Sequence, residues 1–319
     1  MKVIVITGCA GFIGSYVTEK CLRAGYKVCG IDKYTYASNP YMIEQFKKEY
    51  PEDFQFVQKD ISELKYIPDC DYVINIAAET HVGNSIVDST DFIKSNVEGV
   101  KNLLDVLKVK PSNVQTKPVF FHFSTDEVYG DIADGEHTEQ DLLNPSNPYS
   151  ASKASSDMLI KAWSRTYGIE YIILRPTNNY GLRQYPEKLI PLCVNLLQRN
   201  KKIRLHNEGT PIRNWLHAQD TAAAVMTIMN SGVKNEIFNV AGSFEQTNRI
   251  TVKKIIETYY NDKNIEWESY VDMAYTREGQ DVRYALNDDK LRQLGWKPTM
   301  DFDVEITNVV EFYKKHFRW

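Results

Sequence analysis

Residues 3–14 read VIVITGCAGFIG, and this stretch decides the fold. Val3 to Ile6 is a continuous, β-branched apolar run, the pattern of a strand buried on both faces of a parallel sheet. Gly8, Gly11 and Gly14 follow in a G-x-x-G-x-x-G spacing, and Phe12 to Ala24 then reads as a helix closed by Gly25. Strand, glycine turn and helix in that order form the front of a dinucleotide-binding unit. Glycines let the backbone turn tightly and approach a pyrophosphate. The helix N-terminus at Phe12, Ile13 and Gly14 offers free N–H groups and a partial positive charge to that anion. A glycine triplet alone only makes turns; its setting between strand and helix gives it meaning.

Working outward, Lys27 to Ile31 forms a second strand ending at Asp32, about 20 residues on, where an acid accepts from a ribose 2′-hydroxyl. An acid there repels a 2′-phosphate, so NAD is favoured over NADP, a preference that Lys33 weakens. Further strands are expected at 54–57, 72–76, 119–124, 171–174 and 237–240. Helices are expected at 91–107, 150–165, 220–229, 251–259 and 304–316. The alternation predicts an α/β fold: a Rossmann-type doubly wound parallel sheet. After about residue 176 prolines, aromatics and short mixed segments take over. Residues 1–176 are therefore assigned to the NAD-binding domain, and 177–319 mainly to a smaller C-terminal α/β substrate lobe, some of whose segments return to the sheet. Asp60-Ile61 ends the third strand and could bracket an adenine. Ala77-Ala78, after the fourth, is small enough to let a cofactor lie close.

Composition narrows the function classes. The 319 residues are 43% hydrophobic and carry a net charge of −4, with no basic block to suit nucleic acid or an anionic membrane. The five cysteines, at 9, 21, 29, 70 and 193, fit neither a zinc motif nor a disulfide framework, so no metal is expected and a reducing, cytoplasmic setting is. The N-terminal apolar run is too short for a signal peptide, and no apolar stretch approaches the roughly 20 residues that span a bilayer.

Two stretches carry chemistry. NPYSASKASSDM (147–158) holds Tyr149 and Lys153, four apart and so on one face of the expected helix. A lysine near a phenol favours the phenolate, which predicts a lowered Tyr149 pKa and a usable base. FSTDEVYG (123–130) ends a buried strand in a threonine and two adjacent carboxyls, Thr125, Asp126 and Glu127. A polar strand-end turn is the plain reading of that stretch; an active site is the other.

Together these stretches resemble the extended short-chain dehydrogenase/reductase family, in which Tyr, Lys and a Ser/Thr form the catalytic core. Asp126 and Glu127, where epimerases of that family carry small or neutral residues, resemble the nucleotide-sugar 4,6-dehydratases. The likeness extends through AAETHVGNSI (77–86), RPTNNYGLRQYPEKLIP (175–191), GTPIRNWLHAQD (209–220) and REGQDVRYA (277–285). It implies NAD-dependent dehydration of a nucleoside-diphosphate glucose, dTDP- or UDP-linked, to its 4-keto-6-deoxy derivative, towards rhamnose or another 6-deoxyhexose. Tyr149 would take the O4 proton, Glu127 would remove the C5 proton and Asp126 would protonate the departing C6 hydroxyl. Which carboxyl holds the proton is open at this level. The resemblance also implies cofactor contacts at Thr80, Ser95 and Asn179. It places the sugar and diphosphate against His81, Asn178, Lys188, Leu189, Arg213, Asn248, Arg277 and Asp281, and it implies a homodimer. Two departures stand out: Gly83-Asn84 where an Asp-Arg pair is usual, and Gln280 where a histidine is usual. A UDP-hexose 4-epimerase and a non-catalytic NAD-binding regulator are the competing readings. The first has no use for paired carboxyls, and the second usually loses the Tyr or Lys.

Overall fold

The computed structural model describes residues 2–108, 117–276 and 281–316. The first half runs β1 (Val3–Thr7), α1 (Phe12–Arg23), β2 (Lys27–Asp32), α2 (Pro40–Glu49), β3 (Phe54–Gln58) and β4 (Tyr72–Asn75). It continues through α3 (Val82–Val87), α4 (Thr90–Phe92), a π-helical turn (Ile93–Glu98), α5 (Gly99–Lys108), β5 (Val119–Phe123), α6 (Pro148–Tyr167) and β6 (Tyr171–Pro176). The second half contains β7 (Asn178–Tyr180), α7 (Leu189–Gln198), β8 (Ile203–His206), β9 (Ile212–His217), α8 (Ala218–Ser231) and β10 (Glu236–Val240). After these come β11 (Glu245–Thr247), α9 (Asn248–Tyr260), β12 (Val271–Tyr275), α10 (Asp289–Arg292) and α11 (Phe302–Lys315).

Seven strands pair in parallel in the order β10-β6-β5-β4-β1-β2-β3. The order reverses between β1 and β4, which opens a crevice at the carboxyl ends of those strands, where doubly wound sheets bind ligands. One face of the sheet is covered by α1 and α8, with Ile4, Ile6, Val17, Ile74, Phe121, Val225 and Phe238 in that core. Val5, Val73, Leu103, Leu104, Phe120 and Ile173 form the core on the other face. Thus β10 and α8, from the second half of the chain, belong to the sheet layer. The remaining segments form a lobe with its own core around Tyr180, Val194, Trp215, Ile255, Phe302 and Val309.

Four helices have no counterpart in the sequence reading: α2, α3, α7 and α10. Helix α2 has local signals, since Asn39 accepts from the Met42 N–H at 3.3 Å and Pro40 sits in the first turn. The helix expected over 91–107 is interrupted by the π turn, which buries Ser95 and Asn96. Asn96 is held there by the Glu79 N–H at 2.9 Å and by its own bonds to the Glu79 carbonyl and Ser152 Oγ. Single π turns are frequent at functional sites.

Candidate active site

A cleft of about 290 Å³ runs over the carboxyl ends of the strands, from Asp32 and Asp60 at one end to Thr125, Asp126, Glu127 and Tyr149 at the other. The glycine turn forms its floor. Gly8 has φ +71, and a Cβ there would lie 2.6 Å from the Ala77 nitrogen; a Cβ on Gly14 would lie 1.9 Å from the Gly8 carbonyl oxygen. No side chain caps α1, so the N–H groups of its first turn remain for an anion. Asp32 is buried and accepts from the Ala10 N–H (3.0 Å), the Tyr34 N–H (2.9 Å) and Ser38 Oγ (3.1 Å). Burial pushes its carboxyl up, against those three bonds and the Lys33 charge. Lys33 itself reaches Ser95 Oγ at 3.0 Å, Glu79 at 3.5 Å and Asp60 at 3.7 Å. Its ammonium is therefore spent on acids, and Asp32 decides the sign of the ribose end. A long cleft with an uncapped helix N-terminus at its middle and an acid at one end fits a dinucleotide without a 2′-phosphate.

Gly8, Gly11, Phe12, Ile13, Gly14, Asp32, Lys33, Asp60, Ile61, Ala77, Ala78, Thr80 and Ser95 all line this cleft. Asn179 lines it too, but its amide donates to the Thr177 carbonyl and accepts from Thr221 Oγ1, so it braces the wall.

At the chemical end, α6 begins with a capping box. Asn147 accepts from the Ser150 N–H, and Ser150 Oγ answers to the Asn147 N–H. Tyr149 lines the cleft, whereas Lys153, one turn further on and buried, lines neither cavity and so acts from behind Tyr149 rather than as the cofactor contact the sequence suggests. Thr125 Oγ1 donates to Asp126 Oδ1 at 3.0 Å. Glu127 Oε2 meets the Asn147 amide at 3.4 Å and the Tyr284 hydroxyl at 3.5 Å. The two carboxyls differ electrically. Asp126 is raised to about 7, first by burial and then by the Glu127 charge. Glu127 is also raised by burial, but Arg213, Asn147 and Lys188 pull it back toward the carboxylate. Asp126 is thus the group poised to hold a proton near neutrality.

The expected lowering of the Tyr149 phenol is not found. Burial, then the charges of Glu127 and Asp126, hold it well above its ordinary value, and only Thr125 favours the phenolate. Burial also lowers Lys153 to about 8, with Asp157 opposing. Desolvation outweighs the short-range help that the four-residue spacing suggests.

A second cavity adjoins the first, lined by His81, Asn178, Lys188, Leu189, Arg213, Asp281 and Tyr284, and it shares Glu127. Arg213 is buried, its guanidinium held by the Ile212 and Asp281 carbonyls and stacked 4.8 Å from the Tyr284 ring. Lys188 Nζ donates to the carbonyl and hydroxyl of Thr80, both at 3.1 Å. Asn178 lines both cavities, and its Oδ1 is buried without a hydrogen bond. His81 Nδ1 accepts from the Asn84 N–H and caps α3. A Cβ on Gly83 would come within 3.0 Å of that ring, so the glycine gives the ring room. Asn248 lies outside both cavities; its N–H donates to the Pro211 carbonyl as α9 begins. Arg277 and Gln280 lie outside the described residues. Asn147, Tyr284 and Ser146, which donates to Asp281, escaped the sequence reading: the cap pattern of Asn147 and Pro148 announces a helix start and not a contact to Glu127, and no local pattern announces the other two.

Comparison with known proteins places this geometry. Residues 5–309 match the family model described as GDP-mannose 4,6 dehydratase. A probable dTDP-glucose 4,6-dehydratase of Sinorhizobium fredii is 38% identical over 99% of this chain and 94% of its own length. A dTDP-glucose 4,6-dehydratase of Neisseria meningitidis is 37% identical over 100% of this chain and 95% of its own. The solved structure of DesIV, a dTDP-glucose 4,6-dehydratase of Streptomyces venezuelae with NAD and TYD bound, superposes with a TM-score of 0.89 at 34% identity, covering 98% of this chain and 97% of that one.

Proposed function

The chain belongs to the GDP-mannose 4,6 dehydratase family, and from that premise we propose that it is a hydro-lyase converting a nucleoside-diphosphate glucose to the 4-keto-6-deoxy sugar and water. The observation that carries this reading is the adjacent Asp126–Glu127 pair, split by its surroundings, facing Tyr149 across one cleft. An epimerase needs no such pair. dTDP-glucose is the first substrate to test, since the relatives bear that name.

NAD is the cofactor: bound, it supplies the acceptor for the C4 hydride and the donor of that hydride at C6. Gly8, Gly11, Asp32 and the first turn of α1 would hold it. Tyr149, neutral at rest, first releases its phenol proton and then, as the phenolate that Thr125 favours, takes the O4 proton as C4 is oxidised, with Lys153 supplying a positive charge one helical turn away. The new ketone acidifies the C5 hydrogen, and Glu127 removes it. Asp126 gives its proton to the C6 oxygen, which leaves as water. Glu127 returns its proton to C5 as C6 is reduced. Tyr149 ends as the neutral phenol and Asp126 with one proton fewer, which solvent restores. Arg213 and Lys188 suit a diphosphate by charge, and Asn178 Oδ1 suits a sugar hydroxyl.

Two finer readings accompany this one. Ile86, Val87, Ile93 and Met158 are exposed apolar side chains on α3, the π turn and α6, which pack side by side. They support a homodimer through that face. Cys9, Cys21, Cys29 and Cys193 are free thiols, which supports a reducing compartment. No described helix is long and apolar enough to cross a membrane.

The test incubates the NAD-loaded protein separately with dTDP-glucose and UDP-glucose and reads product mass. Loss of one water from either establishes the reaction, and the faster substrate names the base. Unchanged mass with conversion to the galactose isomer would make the protein an epimerase, and no change with either would leave only a binding protein.

A further inference from the structure

Tyr149, Lys153 and Asp157 rise one turn at a time along one face of α6. Tyr149 lines the cleft, but Asp157 does not, and Asp157 is fully buried. Its Oδ2 accepts from Arg175 Nε at 3.0 Å and Nη2 at 2.9 Å. Arg175 comes from β6 and is buried as well. Its third nitrogen, Nη1, donates to the Tyr129 hydroxyl at 2.7 Å, and its guanidinium lies 4.7 Å from the Tyr129 ring centre. The Tyr129 hydroxyl in turn donates to Asn239 Oδ1 on β10 at 2.8 Å. Tyr129 directly follows the 3-10 turn Asp126–Val128, which carries both carboxyls.

A buried ion pair is a poor device for stability, because desolvation offsets its attraction. The placement of this one points elsewhere. One partner lies a turn from the active-site lysine, and the other grips the residue next to the active-site turn. We propose that Asp157, locked by Arg175, is a positioning residue of the reaction: it keeps Lys153 charged beside Tyr149, while Arg175, through Tyr129, anchors the turn that presents Asp126 and Glu127.

The surroundings of Lys153 are consistent with this division. His122 of β5 faces it, but burial keeps that imidazole neutral, and its Nδ1 takes the Asn75 amide at 3.0 Å. Tyr149, on the same helix, is held as the neutral phenol. Asp157 is the one charge acting against burial at Lys153. Burial raises the Asp157 carboxyl, against Arg175, Ser124 and Lys153, which favour its ionised form.

The proposal rests on the dehydratase reading, and its experiment separates the two. In NAD-loaded Asp157→Asn, the alkaline limb of C4 oxidation, read as reduced nicotinamide in a single turnover and so before Asp126 gives up its proton, is expected to move down by about one pH unit or more, with KM for the nucleotide sugar within about twofold. Asp157→Glu moves the limb back toward the parent. In protein carrying 13C-lysine, the Lys153 signal, assigned by its loss in Lys153→Arg, titrates at correspondingly lower pH in Asp157→Asn. That readout needs no turnover, so it stands even if no sugar loses water and the dehydratase reading falls. Should Asp157→Asn fail to fold, Asp157→Asn with Arg175→Met removes both charges and gives the same shift. Tyr129→Phe is expected to lower kcat about tenfold without moving the limb. A folded Asp157 variant with an unmoved limb and an unmoved lysine titration would overturn the electrostatic role. Wild-type kcat in Tyr129→Phe would overturn the anchoring role.

Discussion

Replacing Asp126 with Asn separates what this carboxyl does for chemistry from what it costs the fold. The buried carboxyl is pushed up to about 7 from its ordinary value of 3.8, a difference of about 3 on the pH scale. At about 1.4 kcal/mol for each tenfold change in proton affinity this is roughly 4 kcal/mol. Between those two values the native state binds a proton that the unfolded chain has already released, so native stability falls as pH rises through the window. Asn mimics the protonated carboxyl in shape and charge, and its Oδ1 can still accept from Thr125 Oγ1, as Asp126 does at 3.0 Å. Asp126→Asn should therefore match the parent near pH 4 and exceed it by up to about 4 kcal/mol near pH 8. For 319 residues this corresponds to a melting temperature about 6 °C higher. The same variant should lose about 10²–10⁴ in water release, because no proton is left to give to the C6 oxygen. The assay is a pair of melting series at pH 4 to 8, run beside turnover read by product mass. A stability gap that does not widen with pH would show that Asp126 is not held protonated. A turnover loss of less than tenfold would remove it from the acid role. The parent's own turnover should fall above about pH 7, as Asp126 loses its proton.

Glu127→Gln should keep C4 oxidation and lose C5 deprotonation, so near-ultraviolet absorbance of reduced nicotinamide should build up in a single turnover while water release drops about 10²–10⁴-fold. Asp32→Ala leaves the Ala10 N–H without its acceptor at 3.0 Å, so a loss of about 1–3 kcal/mol in denaturant unfolding and weaker NAD binding by calorimetry are expected. Gly14→Ala puts a methyl 1.9 Å from the Gly8 carbonyl oxygen, where only backbone could give way; NAD binding should be lost and stability should fall by about 1–3 kcal/mol.

Features that depend on neighbours in the chain were legible before the structure. VIVITGCAGFIG reads as strand, turn and helix because burial on two faces and a tight turn leave few other residue choices, and β1 and α1 follow it closely. Asp32 lies at the expected strand end, although its three hydrogen bonds to its own loop were not visible. Short lobe strands such as β7 and β11, three residues each, carry too little periodicity to be read. The π turn was also hidden, since it is held by Asn96 reaching residues 17 and 56 positions away.

The sequence by itself determined the doubly wound core, the glycine turn ahead of α1, the acid at the end of β2 and the candidate side chains of the cleft, because each is written within one strand, turn or helix. Tertiary structure alone decided how those side chains are charged. Burial and unlike neighbours split Asp126 from Glu127, one neighbour coming from Asn147 and others from Arg213 and Lys188, far along the chain. The same burial reversed the expectation for Tyr149. A pKa is set by the solvent a group loses and the charges that surround it in space, and chain spacing encodes neither.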